Sequence, residues 1–293
     1  MEEMGLVTFT EVQHEGTIEN AADVIPGYIV SGEHCMVHTN GIAAMNLGDT
    51  LYFKVYARLT NGTYIYSDLA GYHAVAYAKD ILARSTNERM KSLVVSMLNY
   101  GAAAQTYFNH NTDSLINSFL TDEQRSLVSD YSADMVAGLV GVDSTKTGSF
   151  ASVSGSYSSI YPSVSFEGAF GINFYFNPAC EMDGDLTFYY WTLDDYNAAT
   201  VLTPENASGS FTATGTAPFR GEITGIAAKQ LGETVFVSAV YESNGVSRPS
   251  GVFPYSLGYY CIDRVNNGSS TMAPLAAATA VYGNYAREYF ANL

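Results

Sequence analysis

The pattern of apolar and polar residues predicts a strand, a tight turn and two helices in succession. The run Thr50 to Ala57 is rich in β-branched and aromatic residues, which favours a strand, and Asn61-Gly62 is a strong hairpin turn. Helices are predicted at about Leu69 to Leu82 and Glu88 to Phe108. In the second of these, apolar residues recur on one face at Leu93, Met97, Tyr100, Ala104 and Phe108.

The same succession returns in the second half of the chain. The strand is predicted at Thr234 to Tyr241, the turn at Asn244-Gly245, and the helices at about Ser256 to Val265 and Met272 to Phe290. Matching residues keep their order through two single-residue gaps, as an internal repeat does. The matches include Gly41-Ile42-Ala43-Ala44 with Gly225-Ile226-Ala227-Ala228, and Leu47-Gly48-Asp49-Thr50 with Leu231-Gly232-Glu233-Thr234.

The repeat predicts an α+β fold, rich in β-structure, with two antiparallel, sandwich-like sheet domains that each end in a helical pair packed on the sheet. The first module is predicted over residues 1–120 and the second over residues 157–293. Residues 121–156 are predicted as a connector, helical from about Thr121 to Val142 and then rich in Ser, Gly and Thr. The residues expected to lie against the sheets are Tyr100, Ala104, Phe108, Tyr282, Ala286 and Phe290.

Glycine recurs at one position of the closing helix in both copies, as Gly101 and Gly283. Glycine costs about 1 kcal/mol relative to alanine inside a helix. Its recurrence therefore predicts a close approach of the helix to a sheet or to another helix.

The first module lacks an equivalent for one strand of the second. Upstream strands are predicted in the second copy at about Ser163 to Phe176, Leu186 to Leu193 and Gly209 to Gly215, and in the first only at Gly5 to Gln13 and Gly27 to His38. The strand without a counterpart is Gly171 to Phe176. Because an open sheet edge exposes unpaired N–H and C=O groups, we expect Gly5 to Gln13 to take this place. The alternative is a strand from another chain or from upstream sequence.

Composition narrows the range of partners. Charged residues make up only 14% of the chain, tyrosine occurs 23 times, and the net charge is −16. This charge repels phosphate backbones and anionic headgroups, so we expect neither nucleic acid nor a membrane surface as partner. No apolar stretch is long enough to insert into a membrane, and Met1 to Met4 lacks the features of a signal peptide. The cysteines leave open a bridge between Cys180 and Cys261 or buried free thiols.

Two segments resemble a known family. Met97 to Phe108 reads Met-Leu-Asn-Tyr-Gly-Ala-Ala-Ala-Gln-Thr-Tyr-Phe, and Phe166 to Phe176 contains Gly-Ile-Asn-Phe-Tyr-Phe. They are similar to the closing helix and opening strand of a module that recurs in large secreted and cell-surface proteins of gut Clostridia. The resemblance implies an extracellular location and neighbouring modules as partners, without activity, ligand or site residues. The second copy departs from it at its closing helix, where Tyr282 to Arg287 replaces the alanine-rich run.

The aromatic strand Phe188 to Trp191 is the first candidate for ligand binding. Tyr189 and Trp191 would stack on a sugar if one face of the strand is exposed. The alternative is that both faces are buried, because large aromatic side chains more often fill cores.

Acidic residues are the second candidate. Asp183 and Asp185 form an Asp-Gly-Asp cluster that, with Asp194-Asp195, is a candidate ligand set for Ca²⁺, the one cofactor that the sequence suggests. Turn chemistry explains both clusters more simply, because Asp and Gly favour tight turns. A glycosidase acid and nucleophile is a third reading, without any sign of a raised pKa or a cleft.

Two further clusters of polar residues are weaker candidates for a site. His34 and His38 share one face of a predicted strand, where they are spaced too widely for one tetrahedral metal ion. Asn109, Asn111 and Asp113 follow the closing helix of the first copy, and Asp113 is expected to cap the next helix. Since no nucleophile, base or metal set is visible, we expect a non-catalytic module rather than an enzyme. Together with the location that the resemblance implies, this favours an extracellular, cell-surface module that acts as a structural spacer or adhesion segment. The alternative is a carbohydrate-binding module that uses exposed aromatic residues.

Overall fold

The computed structural model describes residues 3–31, 34–37, 42–136, 138–155, 157–213 and 215–293. These residues form fifteen strands, all paired antiparallel, and six α-helices, so the predicted α+β class is confirmed. None of the helices in these ranges is both long enough and apolar enough to cross a membrane.

Five strands of the first half form one sheet, in the order β2-β1-β5-β6 with β7 also paired to β5. They are β1 (Glu3–Phe9), β2 (Asp23–Pro26), β5 (Thr50–Arg58), β6 (Tyr64–Tyr66) and β7 (Ala70–His73). A separate two-stranded hairpin consists of β3 (Tyr28–Ser31) and β4 (His34–Met36). Two helices close this half, α1 (Ala74–Arg84) and α2 (Glu88–Phe108). Because Ala70 to His73 pairs with β5, the first helix begins later than predicted.

The connector is less helical than predicted. In its described residues, 121–136 and 138–155, the one α-helix is α3 (Asp122–Ser126), which Thr121 caps in a reciprocal capping box with Gln124, and short 3-10 turns follow. The Ser/Gly/Thr-rich part is not a free linker throughout. Phe150 within it is buried against the Trp191 ring, with the ring centroids 4.9 Å apart.

Two sheets face each other in the second half. A three-stranded sheet has the order β12-β9-β8, and a five-stranded sheet has the order β11-β10-β13-β14 with β15 also paired to β13. The strands are β8 (Tyr157–Ser165), β9 (Phe170–Pro178), β10 (Leu186–Trp191), β11 (Gly209–Ala213), β12 (Phe219–Ile226), β13 (Val235–Ser243), β14 (Val246–Pro249) and β15 (Phe253–Tyr255). The helices are α4 (Leu193–Ala198), α5 (Leu257–Asn267) and α6 (Met272–Phe290).

The two five-stranded sheets share one register. Phe9 of β1 pairs with Tyr52, as Trp191 of β10 pairs with Phe236. Leu6 pairs with Ile25 and Val55, as Phe188 pairs with Phe211 and Ala239. Leu51 pairs with Tyr72, as Val235 pairs with Tyr255. These pairings define which positions of the two halves correspond.

This register corrects the expected position of the first strand. Gly5 to Phe9 pairs with β5 in the same way as β10 pairs with β13. This segment therefore corresponds to β10 and does not replace Gly171 to Phe176 of β9. Within residues 3–31, 34–37 and 42–120, no strand takes the place of β8 or β9. The reason is that a strand pattern predicts pairing but not the neighbour with which the strand pairs.

The closing helices α2 and α6 pack on each other and join the cores of the two halves. The Tyr100 and Tyr282 rings stack with centroids 5.6 Å apart and planes 12° apart, and Phe170 of β9 lies 5.3 Å from Tyr100. Of the residues expected to lie against the sheets, Ala104 and Ala286 are buried. Phe290 is not: it is 48% exposed, and the ammonium of Lys229 lies 5.3 Å from its ring.

Each recurrent glycine does approach another element closely, although the partner is neither a sheet nor a helix of the predicted kind. A Cβ on Gly101 would lie 3.2 Å from the carbonyl oxygen of Ala44, and one on Gly283 would lie 3.2 Å from that of Ala228. These carbonyls belong to the 3-10 turns Ala44–Asn46 and Ala228–Gln230, which precede β5 and β13.

Candidate functional site

The predicted sugar-stacking residues lie in the interior. Trp191 is 0% exposed, and its indole Nε1 donates a hydrogen bond to Asn206 Oδ1 at 3.0 Å. Tyr189 is half-buried, with its ring 5.4 Å from that of Phe150. The indole face is therefore not available to a sugar, which agrees with the alternative of burial for Trp191.

The predicted calcium ligands form a turn. Asp183 accepts a hydrogen bond from the backbone N–H of Gly245 at 3.1 Å, which ties the turn before β10 to the β13–β14 hairpin. Asp185 is exposed, and Gly184 between them has φ +97°, a left-handed value that glycine adopts readily. Among the described residues, no group of three or more His, Cys, Asp or Glu side chains is placed to hold a metal ion.

The second acidic pair serves the start of α4. Thr192 caps this helix through the N–H of Asp195, and the Asp195 carboxylate accepts hydrogen bonds from the hydroxyls of Thr192 and Ser208. Carboxylates are favourable in the first turn of a helix, where backbone N–H groups are free. Asp194 and Asp195 thus have a structural role in this position.

The remaining clusters are only partly described. His38 and the side chain of His34 lie outside the described residues, so the structure does not test the expectation that this pair is too widely spaced for a metal ion. Asn109 ends α2 with φ 54°. Asp113 does not cap a helix, because α3 begins later and is capped by Thr121.

A cavity that sequence reasoning missed lies at one end of the first five-stranded sheet. This first cavity measures about 540 Å³. Its lining includes Thr8, Ile42, Leu51, Tyr72 and Ala74. Tyr72 is 43% exposed, so its ring is accessible at the wall of the cavity.

The lining of the first cavity contains two carboxylates, that of Glu167 from the second half and that of Asp49. The Asp49 carboxylate accepts hydrogen bonds from the amides of Asn46 at 2.7 Å and Asn111 at 3.0 Å, and lies 3.1 Å from Nε2 of His110. These contacts fasten the end of α2 to the corner before β5. In the second half Gln230 donates to Glu233 at 3.2 Å at the same positions as Asn46 and Asp49, which indicates that this amide–carboxylate pair stabilises the corner.

The second half has a smaller cavity at the corresponding place, of about 160 Å³. Its lining includes Tyr190 and Leu257, which stand where the first half has Thr8 and Ala74. Ile223 of β12 also contributes to its wall. Larger side chains and an additional strand therefore fill most of the space in the second half. In the sequence, the only sign of the first cavity is a pair of small residues where the other copy has large ones.

Burial at the second cavity also affects its carboxylate. The pKa of Glu233 is raised, chiefly because burial disfavours the charged form.

The first cavity is lined by the accessible Tyr72 ring, by Thr8 and Thr50, and by Asp49. Such a set can stack on and hydrogen-bond a neutral polyhydroxylated ligand.

The chain was compared with protein-family models, curated proteins and solved structures, and none of the three comparisons finds a match.

Proposed function

We propose that the chain is a non-catalytic extracellular segment of a larger bacterial cell-surface protein, in which it acts as a structural spacer or adhesion segment. In this proposal its partners are the neighbouring modules of the same protein. The two halves, residues 1–120 and 157–293, are taken as copies of one module, with residues 121–156 as the connector. The equal register of β1-β5-β7 and β10-β13-β15 supports the duplication.

The contact between α2 and α6 is the observation that carries the spacer role. A spacer must hold its two ends at a fixed separation, and a flexible joint between two domains would not do so. Here the stacked Tyr100 and Tyr282 rings and the neighbouring Phe170 bury apolar surface from both halves in one core. The joint is therefore a packed interface, which favours a stiff unit.

Small-angle X-ray scattering on the whole chain tests this stiffness. We expect one compact shape to account for the scattering, and we expect Tyr282→Ala to loosen the joint and increase the radius of gyration. Tyr77→Ala is the matched control, because Tyr77 is an exposed tyrosine on α1 that is not part of the α2–α6 contact. Scattering from the unmodified chain that requires many relative positions of the halves would contradict the spacer role.

Carbohydrate binding is the second candidate, and the first cavity is the observation that favours it. The earlier candidates, Tyr189 and Trp191, face the interior, whereas Tyr72 exposes its ring beside Asp49 and Thr50. The net charge of −16 is compatible with a neutral glycan.

A glycan array separates the two candidates. If the chain binds carbohydrate at this cavity, Tyr72→Ala should abolish the signal and Tyr77→Ala should leave it intact. Binding that survives Tyr72→Ala would exclude the first cavity as the sugar site, and the absence of any signal would leave the spacer role as the better supported function.

A further inference from the structure

One face of the first five-stranded sheet exposes apolar side chains, and among residues 3–31, 34–37 and 42–120 no strand stands in the place of β8 or β9. On this open face Val55, Ile65 and Tyr72 are exposed, and Leu6, Ile25 and Phe53 are half-buried. Leu6 pairs with both Ile25 and Val55, and Phe53 lies two residues from Val55 on the same strand. Residues that are paired across strands, or two apart along one strand, share a face of the sheet.

The opposite face of the same sheet is well packed. Val7, Phe9 and Tyr56 are buried there under residues that include Ile18, Ala21 and Leu69. This face is not covered throughout, because Val24 on the edge strand β2 is 38% exposed, and exposed apolar side chains such as Val12 and Tyr77 also occur elsewhere in this half.

The second half covers the corresponding face. Phe176 of β9 lies against Tyr241, with ring centroids 6.0 Å apart, and Phe174 lies 6.4 Å from Tyr255 with the rings almost perpendicular. Together with β8 and β12, these side chains form the second layer of a sandwich.

Corresponding residues differ in exposure as a result. Val55 is 46% exposed, whereas Ala239 at the same position of β13 is 0% exposed. Tyr72 is 43% exposed, whereas Tyr255 is 8% exposed. Exposed apolar side chains that adjoin one another on a sheet face mark an interaction surface. In the first half, the layer that β8 and β9 provide in the second has no counterpart among the described residues.

We propose that the open face docks a β-hairpin of a partner polypeptide, apolar at every second residue of its inner face as β9 is at Phe170, Ile172, Phe174 and Phe176. The hairpin would complete the first half as a two-layer sandwich. This goes beyond the spacer role, which needs only the α2–α6 joint, and each of the two can fail without the other.

The internal repeat is the reason for choosing a hairpin as the occupant. The same sheet, in the same register, accepts such a hairpin in the second half, so the spacing and twist of the open face suit one. A glycan does not match the mainly aliphatic and aromatic surface of Leu6, Phe53 and Val55. A second copy of the chain is disfavoured because two molecules of charge −16 repel each other, whereas residues 157–178 contain one acidic and no basic residue.

The direct test uses the hairpin of the second half as the probe. Residues 157–178 are fused to a soluble carrier protein, to limit self-association, and are titrated into the fluorescently labelled full chain. We expect saturable binding, and a higher melting temperature of the chain with the fusion than with the carrier alone, because a ligand of the folded state stabilises it. A fusion with Phe174→Ser and Phe176→Ser should bind weakly or not at all.

Variants of the chain locate the binding. Val55→Lys should weaken it by about tenfold or more, because the charge would be buried under the hairpin, and Ile65→Lys should also weaken it. Val246→Lys is the matched control, since Val246 is an exposed valine on β14 of the second half.

Several outcomes would overturn the proposal. The first is that the hairpin fusion does not bind to a folded chain. The second is that the fusion binds but Val55→Lys and Ile65→Lys do not change the affinity, which would indicate that it exchanges with β8–β9 of the second half. Self-association of the chain that Val55→Lys abolishes would identify a second copy as the occupant. Glycan binding that Val55→Lys abolishes would assign the face to carbohydrate instead.

Discussion

Burial determines what each aromatic side chain of this protein can contribute. Trp191 has the largest ring system of the predicted sugar site, but its ring packs on Phe150 and its N–H is satisfied by Asn206. Tyr72, which no motif singles out, is the ring that solvent reaches beside a cavity. An exposed aromatic ring contributes to binding, whereas a buried one contributes to the free energy of folding.

The buried tyrosines predict a loss of stability at alkaline pH. Burial raises the pKa of Tyr100, Tyr255 and Tyr282 above the ordinary value of 10.0, and burial with the nearby Glu3 raises the pKa of Tyr56 to about 12. Between about pH 10 and these raised values, the unfolded chain loses protons that the folded chain retains, so a rise in pH favours unfolding. The free energy of unfolding, measured in urea, should therefore fall as the pH rises above about 10.

Tyr100→Phe is the control for this effect. It removes one of the shifted groups while it keeps the ring, so stability should fall less steeply with pH in the variant than in the unmodified chain. Equal slopes for the two proteins would show that Tyr100 ionises normally in the folded state.

The two described thiols should differ in reactivity. Cys180 is exposed, and hydrogen bonds from Ser243 and from Tyr241, whose hydroxyl lies 3.3 Å from Sγ, lower its pKa. Cys261 is fully buried, which raises its pKa to about 12. Because the thiolate is the reactive form, brief alkylation near neutral pH should modify Cys180 and spare Cys261.

Peptide mapping by mass spectrometry measures the extent of alkylation at each cysteine. Alkylation in denaturant is the control, in which Cys261 should react as well. The sequence left a bridge between these two cysteines open, and the structure has both thiols free. A peptide pair that remains linked without reductant would contradict the structure.

Among the elements, the closing helices and the 3-10 turns beneath them form the most regular unit. Gly101 and Gly283 let the two helices pass over the carbonyl oxygens of Ala44 and Ala228. The same turns position the amide–carboxylate pairs Asn46–Asp49 and Gln230–Glu233. One small residue per helix thus determines how closely the helix approaches the start of the central strand.

Gly283→Ala should destabilise the protein. Alanine gains about 1 kcal/mol in helix propensity, but its Cβ would lie 2.8 Å from Leu231 Cδ1 and 3.2 Å from the Ala228 carbonyl oxygen. Overpacking of this kind costs about 1–3 kcal/mol, and the carbonyl cannot move without its turn. The melting temperature should fall, and Gly101→Ala should lower it less, because the nearest side-chain atom there lies at 3.1 Å.

Arg89→Ala serves as the reference, since Arg89 is an exposed residue of α2 where a substitution should change the free energy of unfolding by less than about 0.5 kcal/mol. If Gly283→Ala proved more stable than the unmodified chain, the helix would lie farther from the turn than the structure has it.

For the whole molecule, the shared core and the open face have opposite consequences. The core that contains Tyr100, Phe170 and Tyr282 couples the two halves into one folded unit. Among its described residues, the first half has no counterpart of β8 and β9 over the open face. The first half therefore depends on α2–α6 packing, and by our proposal on a docked hairpin, for part of its stability.

This coupling predicts one cooperative thermal transition. Trp191 is the only tryptophan and lies in the second half, so its fluorescence reports on that half, whereas far-ultraviolet circular dichroism reports on both. Because the core is shared, the two signals should change at the same temperature. Tyr282→Ala should separate them, with the dichroism beginning to change first. Separate transitions in the unmodified chain would show that the halves unfold independently.

Local sequence determined much of the secondary structure. The closing helices α2 and α6 have the predicted bounds, and β5 and β13 with their Asn-Gly turns are where the repeat predicts them. Hydrophobic periodicity, turn residues and caps act over a few residues, so they can be read without knowledge of the fold. Of the three readings of the acidic clusters, the simplest fits their contacts, because Asp183 bonds within a turn and Asp195 at a helix start.

Only the tertiary structure decided which faces are covered and which side chains meet. The pattern of β1 predicts a strand but not that it pairs with β5, and the helical face of α6 does not reveal that Phe290 extends beyond the core. The first cavity depends on Thr8 and Ala74, which are far apart in sequence and share a space only after the sheet has formed. The open face likewise depends on β8 and β9, which have no counterpart in the part of the first half that the structure describes. Long-range packing sets these features, because an apolar face becomes core only where another element covers it.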